Sequence, residues 1–341
     1  VTEAVELKEK HRTTDDQKVL LEVKNLKTYF PIKSGKFKRT TRYVKAVDDV
    51  SFYVKKGETL GIVGESGCGK STTGNSIIRL VEPTSGEVFF NGENIASVKP
   101  KDFRPHKKNI QMIFQDPFSS LNPRMHVFDI IAEPLVTHKL YKGKELEKRV
   151  VELMEIVGLD PELLHRYPHE FSGGQRQRIG IARAIALNPE LIICDEPVSA
   201  LDVSIQAQVL NLLKRLQKEL DLTYVFIAHG IPAVKYVSDR IAVMYMGEIV
   251  EVTTNEKLFS NTLHPYTKRL ISAVPSTDPT KRTIGDSDAV ADELNQEETS
   301  DQGCKFAARC PFAQDNCLVD RPKLREYAKG HYVKCHYPLK H

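Results

Sequence analysis

Between Gly64 and Ser71 the chain reads Gly-Glu-Ser-Gly-Cys-Gly-Lys-Ser, a spacing suited to cradling a polyphosphate. Gly64, Gly67 and Gly69 let successive backbone N–H groups turn toward an anion, with Glu65, Ser66 and Cys68 between them. Lys70 can reach the outer phosphate oxygens, the Ser71 hydroxyl is placed to hold Mg²⁺, and Thr72 continues the segment. Three more places carry polar groups at the ends of apolar runs. Gln115 closes Ile110-Gln-Met-Ile-Phe, Asp195 and Glu196 close Leu191-Ile-Ile-Cys, and His229 closes Tyr224-Val-Phe-Ile-Ala. An apolar run ending in acids is how a central parallel strand delivers carboxylates to the edge of a sheet.

These groups need elements to place them. Glu58 to Val63 reads as a buried strand entering the phosphate loop, and Thr72 to Leu80 as a helix whose N-terminus faces the anion. Val19 to Leu26 and Val47 to Val54 read as strands. The basic stretch Lys33 to Lys45 between them reads as a solvated hairpin loop, with contact to anionic lipid or a partner as the alternative. Gly86 to Gly92 is a hairpin signal, and Asp116-Pro117 stops the strand before it. From Leu121 to Leu164 the periodicity is helical; Tyr167 to Gln175 is a turn, and Arg176 to Leu187 and Val203 to Leu220 are helices. Strands alternating with helices, with chemistry at strand ends, predict an α/β fold whose mainly parallel sheet carries helices on both faces, plus a helical insertion.

Length and composition set the frame. The 341 residues suffice for one large core and a second small one. With 40% hydrophobic residues, 28% charged residues and a mean hydropathy of −0.35, the composition is that of an ordinary globular protein. No apolar run reaches the roughly 18 residues of a membrane span. A net charge of +4 falls short of a domain devoted to nucleic acid. Residues 1–18 are charged and read as a mobile tail without a secretory signal, which places the six cysteines in a reducing compartment. Residues 277–302, rich in Asp, Glu, Thr and Ser, read as a flexible linker before a tail at 303–341 that holds four of the cysteines. No internal repeat is evident.

With these residues in order, the chain resembles the ATP-binding subunits of ABC transporters. The phosphate loop is followed by Gln115 and then by Phe171-Ser-Gly-Gly-Gln175, which matches the family signature with phenylalanine in place of leucine. Asp195-Glu196, Ser199-Ala-Leu-Asp202 and His229 follow in the family's order. The resemblance implies a P-loop nucleotide-binding domain at 19–255, with a RecA-like sheet core and a helical subdomain at about 116–182. It implies ATP and Mg²⁺ as ligands, with Ser71, Gln115 and Asp195 serving the metal, Glu196 as the general base and His229 on the γ-phosphate. Ser172, Gly173, Gly174 and Gln175 open a helix whose free N–H groups would take the γ-phosphate held by an opposite subunit, and Asp202 lies in the loop facing that subunit. Phe30, which sequence alone favours as core, sits where the family stacks adenine. Gly230 follows His229 where the family has aspartate, which puts the switch role of that histidine in doubt.

Ile113 to Pro123, Leu263 to Pro275 and Gly303 to Pro311 narrow the resemblance to the dipeptide/oligopeptide importer branch, specifically the second of its two ATPase subunits. That implies ATP hydrolysis powering peptide import at the cytoplasmic face of the membrane. The implied partners are a paralogous ATPase, two transmembrane permease subunits and an extracytoplasmic peptide-binding protein, and no nucleic acid. Nickel as cargo, or an ABC ATPase outside transport, are the rivals. Residues 256–341 would be the branch's C-terminal extension. Cys304, Cys310, Cys317 and Cys335 suit a [4Fe–4S] cluster, Zn²⁺ or reduced thiols, and members of the branch with such a tail carry the cluster. Cys68 and Cys194 read as small packing groups.

Overall fold

The computed structural model describes residues 18–34, 39–274 and 302–340. The expected N-terminal tail (except Lys18) and the expected linker (except Gln302) therefore lie outside the described residues. Among the described residues, twelve strands form two sheets. The first is antiparallel, in the order β2-β1-β4-β5, from β1 (Val19–Ser34), β2 (Arg39–Lys55), β4 (Ser85–Phe90) and β5 (Glu93–Asn94). The second has eight strands in the order β11-β12-β10-β9-β3-β8-β7-β6. Its members are β3 (Thr59–Val63), β6 (Ile110–Ile113), β7 (Leu191–Asp195), β8 (Thr223–Ala228), β9 (Arg240–Tyr245), β10 (Glu248–Thr254), β11 (Arg325–Ala328) and β12 (His331–Val333). The run from β9 to β6 is parallel, and β10, β12 and β11 continue it antiparallel.

The large sheet is covered on both faces, which is why its central strands read as unbroken apolar runs. Side chains alternate between two cores. Ile192, Cys194, Phe226, Val243 and Tyr245 pack with the helices, whereas Leu191, Ile193, Val225, Ile227 and Met244 pack against the first sheet. The helix Lys70–Ile77 lies close on the sheet because Gly74 has no side chain: a Cβ there would meet Ile227 Cδ1 at 2.9 Å and Ile193 Cγ2 at 3.0 Å.

The helical part comprises Val127–Thr137, Gly143–Ile156 and Gly173–Ile185, with short 3₁₀ turns at Pro161–Leu163 and Pro168–Glu170. Val127, Ile131, Leu135, Val150, Leu153, Met154, Ile179 and Ile181 are buried between these helices, a consequence of apolar residues three and four apart. Arg183 joins this part to the segment after β6 by donating to the Ser120 carbonyl at 2.8 Å. No helix among the described residues is long and apolar enough to cross a membrane.

The C-terminal segment is built into the sheet. β12 pairs with β10, Glu251 opposite Val333 and Val252 opposite Tyr332. His331 Nε2 meets Glu251 Oε1 at 2.7 Å in a fully buried contact. Beside it, buried Asp48 and Glu248 receive three cations. Lys305 Nζ lies 3.1 Å from Asp48, Lys334 Nζ lies 2.9 Å from Glu248, and Arg321 contacts both acids. Burial acts against ionisation of Asp48, but the Tyr29 hydroxyl, Lys305 and Arg321 outweigh it and hold the carboxyl well below the usual range. Lys334, buried beside Arg321, is lowered to about 8.

This segment requires a correction. Cys304, Cys310, Cys317 and Cys335 line one small void with Phe306, Phe312 and His336. Among the described residues, however, no group of three or more His, Cys, Asp or Glu side chains is placed to hold a metal ion. The expectation of a [4Fe–4S] cluster or Zn²⁺ on the four cysteines is therefore overturned. The void, about 10 Å³, has room for about one water molecule. Burial raises the thiols of Cys304 and Cys310 and pushes Cys335 up to about 12. The expectation came from the likeness to branch members that carry the cluster; here the ion network and the β10–β12 pairing fasten the tail to the sheet.

Candidate nucleotide site

The phosphate loop leaves the C-terminal end of β3 and enters the helix at Lys70. Gly69, at φ 104°, is the residue before that helix, and a Cβ there would lie 2.0 Å from the Ala46 carbonyl oxygen. Only glycine fits both the left-handed backbone and that approach. Lys70 Nζ donates to the carbonyls of Gly64 and Glu65, each at 2.9 Å, so its long stem folds back under the loop. Ser66 and Gly67 at the crown are exposed, whereas Gly64, Cys68 and Lys70 are buried.

The parallel register brings the other strand ends to the same edge. Ser71 Oγ donates to Asp195 Oδ1 at 2.8 Å, placing a hydroxyl and a carboxylate together as a hard-cation site requires. Burial pushes the Asp195 carboxyl up, the Ser71 hydroxyl pulls it down, and the Glu196 charge adds to the rise. Gln115 Nε2 donates to Glu196 Oε2 at 2.8 Å, which leaves the amide oxygen for another partner. Glu196 has a positive φ of 45°, and its N–H donates to the Ile227 carbonyl at 2.9 Å. The strained turn therefore aims this carboxylate away from Asp195 and toward Gln115. His229 Nδ1 lies 3.4 Å from the Gly64 carbonyl, tying its loop to the phosphate loop although Gly230 follows. Lys70, Ser71, Gln115, Asp195, Glu196 and His229 thus form one connected constellation.

Other residues lie apart from it. Ser172 caps the helix Gly173–Ile185: its Oγ accepts from Gln175 N at 3.3 Å, and Gln175 Oε1 accepts from Ser172 N at 3.0 Å. Gly174 is buried against the neighbouring helix Val203–Leu220, where a Cβ would meet Ile205 Cγ2 at 2.5 Å. Ser172 and Asp202 are both exposed. Phe30 is 41% exposed on β1, so it is not a core residue.

Sequence reasoning missed two contacts from the C-terminal segment to the loop. Tyr266 Oη accepts from the Glu65 N–H at 3.0 Å, and the Arg309 guanidinium grips the Glu65 carboxylate at 3.1 and 3.4 Å. The acid inside a phosphate loop was the available signal, because it calls for a cation.

With this geometry in view, comparison with known proteins is direct. The ABC transporter family profile matches residues 47–199, and the oligopeptide/dipeptide transporter C-terminal region matches residues 250–317. The oligopeptide transport ATP-binding protein AppF of Bacillus subtilis is 53% identical over 325 residues, covering 95% of this chain and 99% of the relative. The oligopeptide transport ATP-binding protein OppF of Escherichia coli is 52% identical, covering 94% of this chain and 97% of the relative. A dimeric structure of the ATP-binding cassette MJ0796 in a post-hydrolysis state with ADP and Pi matches with a TM-score of 0.62. It is 30% identical and covers 69% of this chain and 99% of that one. The chain belongs to the ABC transporter ATP-binding family, in its oligopeptide/dipeptide branch. It is an ATP-binding and ATP-hydrolysing subunit of an oligopeptide/dipeptide import system.

Proposed function

We propose that this chain is one of two unlike ATPase subunits, the second of the pair, docked from the cytoplasmic side on two membrane-spanning permease subunits fed by an external peptide-binding protein. The observation that carries this reading is the openness of the site. The loop crown at Ser66 and Gly67, Gln115, His229, and the signature turn at Ser172 all face outward. A triphosphate on Lys70 would be held from one side, and the helix opened by Ser172 presents a positive dipole end with no acidic side chain in its first turn. Facing a second cassette fills both gaps at once.

In this reading Ser71, Gln115 and Asp195 hold Mg²⁺, which neutralises charge on the β and γ oxygens when bound. Glu196 orients and deprotonates the attacking water, and Gln115 keeps that carboxylate in place between turnovers. His229 holds the γ-phosphate, with the Gly64 contact supporting its loop in place of the absent aspartate. Phe30, exposed at the edge of β1, stacks on adenine. Hydrolysis removes the anion that joins the two cassettes, and closing followed by opening is the two-state element that moves the permease. Purification of the chain from membranes tests this reading. It predicts a paralogous ATPase, two membrane-spanning chains and a peptide-binding protein in the same complex; recovery as a dimer of this chain alone would contradict it.

A further inference from the structure

Glu65 is an oddity: a carboxylate in the second position of a loop whose task is to bind a polyanion. Left free, its charge opposes the phosphates and competes for the loop's own N–H groups. The structure holds it on three sides. Its carbonyl accepts from Lys70 Nζ at 2.9 Å, its N–H donates to Tyr266 Oη at 3.0 Å, and its carboxylate takes Arg309 Nη1 at 3.1 Å and Nη2 at 3.4 Å. Two of these three holds come from beyond β10, in the C-terminal segment.

Arg309 is itself fixed. Its guanidinium lies 6.0 Å from the Tyr245 ring centroid, and Nη1 is 3.5 Å from the Tyr245 hydroxyl. Tyr245 is held in turn by Phe306, edge to face at 5.3 Å between ring centroids, and by the tilted ring of Tyr266 at 4.5 Å. A fork-to-carboxylate pair fixes direction as well as charge, which an ammonium group would not do. The ordinary explanation would be that the pair fastens the tail to the core. That task is already carried by the pairing of β12 with β10 and by Asp48 and Glu248 with their three cations.

We propose that Arg309 is a positioning residue of the nucleotide site: by neutralising and orienting Glu65 it keeps the phosphate loop able to accept ATP. The C-terminal segment is then part of the ATP site. This rests on Lys70 marking that site, so the test carries its own control. Mg·ATP affinity is measured on the purified full-length chain by displacement of a trinitrophenyl-ATP probe, with circular-dichroism melting of each variant alongside. Arg309→Gln weakens binding about tenfold, equivalent to about 1.4 kcal/mol. Arg309→Lys, which keeps the charge but not the fork, falls between wild type and Arg309→Gln, and Glu65→Gln combined with Arg309→Gln recovers most of the loss. Wild-type affinity in Arg309→Gln, with binding lost in Lys70→Ala, overturns the proposal and leaves the site standing. A double variant as weak as Arg309→Gln overturns the neutralising role in favour of a purely structural one. Undiminished binding in Lys70→Ala overturns the placement of the site itself.

Discussion

At the scale of single residues, the catalytic chemistry depends on where two adjacent carboxylates point. Asp195 ends β7 in the extended direction and meets Ser71, while Glu196 takes a left-handed turn and meets Gln115. One backbone inversion therefore gives neighbouring acids different partners, one suited to a metal and one to water. Glu196→Gln keeps the size and the contact with Gln115 but cannot take a proton. In a complex whose partner site is inactivated, phosphate release falls about a thousandfold while ATP stays bound. Unchanged release in that complex would remove Glu196 from its role. The residues of this constellation were legible because each follows an apolar run that names its strand. Arg309 was not: the acid at Glu65 calls for a cation, but the one that answers lies 244 residues away.

At the scale of elements, the exposed N-terminus of the helix Gly173–Ile185 stands out. Its capping box leaves further N–H groups pointing outward, and Gly174 allows the close packing on Ile205 that fixes its direction. Ser172→Ala removes the cap and costs about 1 kcal/mol in urea unfolding of the isolated chain. It also weakens ATP-dependent association of the cassettes, read by sedimentation; unaltered association would mean that this turn does not meet the nucleotide. The helices were well marked in the sequence by apolar residues at three and four spacings. The basic stretch from Lys33 to Lys45 was not, because β1 and β2 stay paired out to Ser34 and Arg39. Along the described part of that ribbon Arg42, Tyr43 and Val44 are exposed in succession, so no alternation announces a strand there.

At the scale of the whole molecule, the C-terminal segment is continuous with the sheet that carries the site. His264 sits at this junction, fully buried, capping the helix Pro265–Ser272 by accepting from Tyr266 N at 3.1 Å. Burial lowers it to about 4, against a partial opposing pull from Glu251. A folded value below the unfolded one of 6.5 means that the unfolded chain binds more protons between about pH 4 and 6.5. Stability is therefore full above pH 6.5 and falls as pH drops toward 4, by on the order of 3 kcal/mol from this group. The lowered Asp48 carboxylate adds its own loss only below the unfolded value of 3.8, outside that window. His264→Asn keeps a capping oxygen without the titration, so its melting temperature is flatter than wild type between pH 6.5 and 4; equal slopes would contradict the assignment. The tail's metal was misjudged in the sequence because cysteine spacing records which thiols are present, not how the fold arranges them in space.

ATP on the loop of this chain drives import of peptide. The direct measurement is uptake of a labelled oligopeptide into proteoliposomes containing the complete transporter, with Lys70→Ala in this chain alone. Uptake falling to the level seen without ATP is the predicted result. Uptake at the wild-type rate would contradict it, because the site described would then do no work in transport.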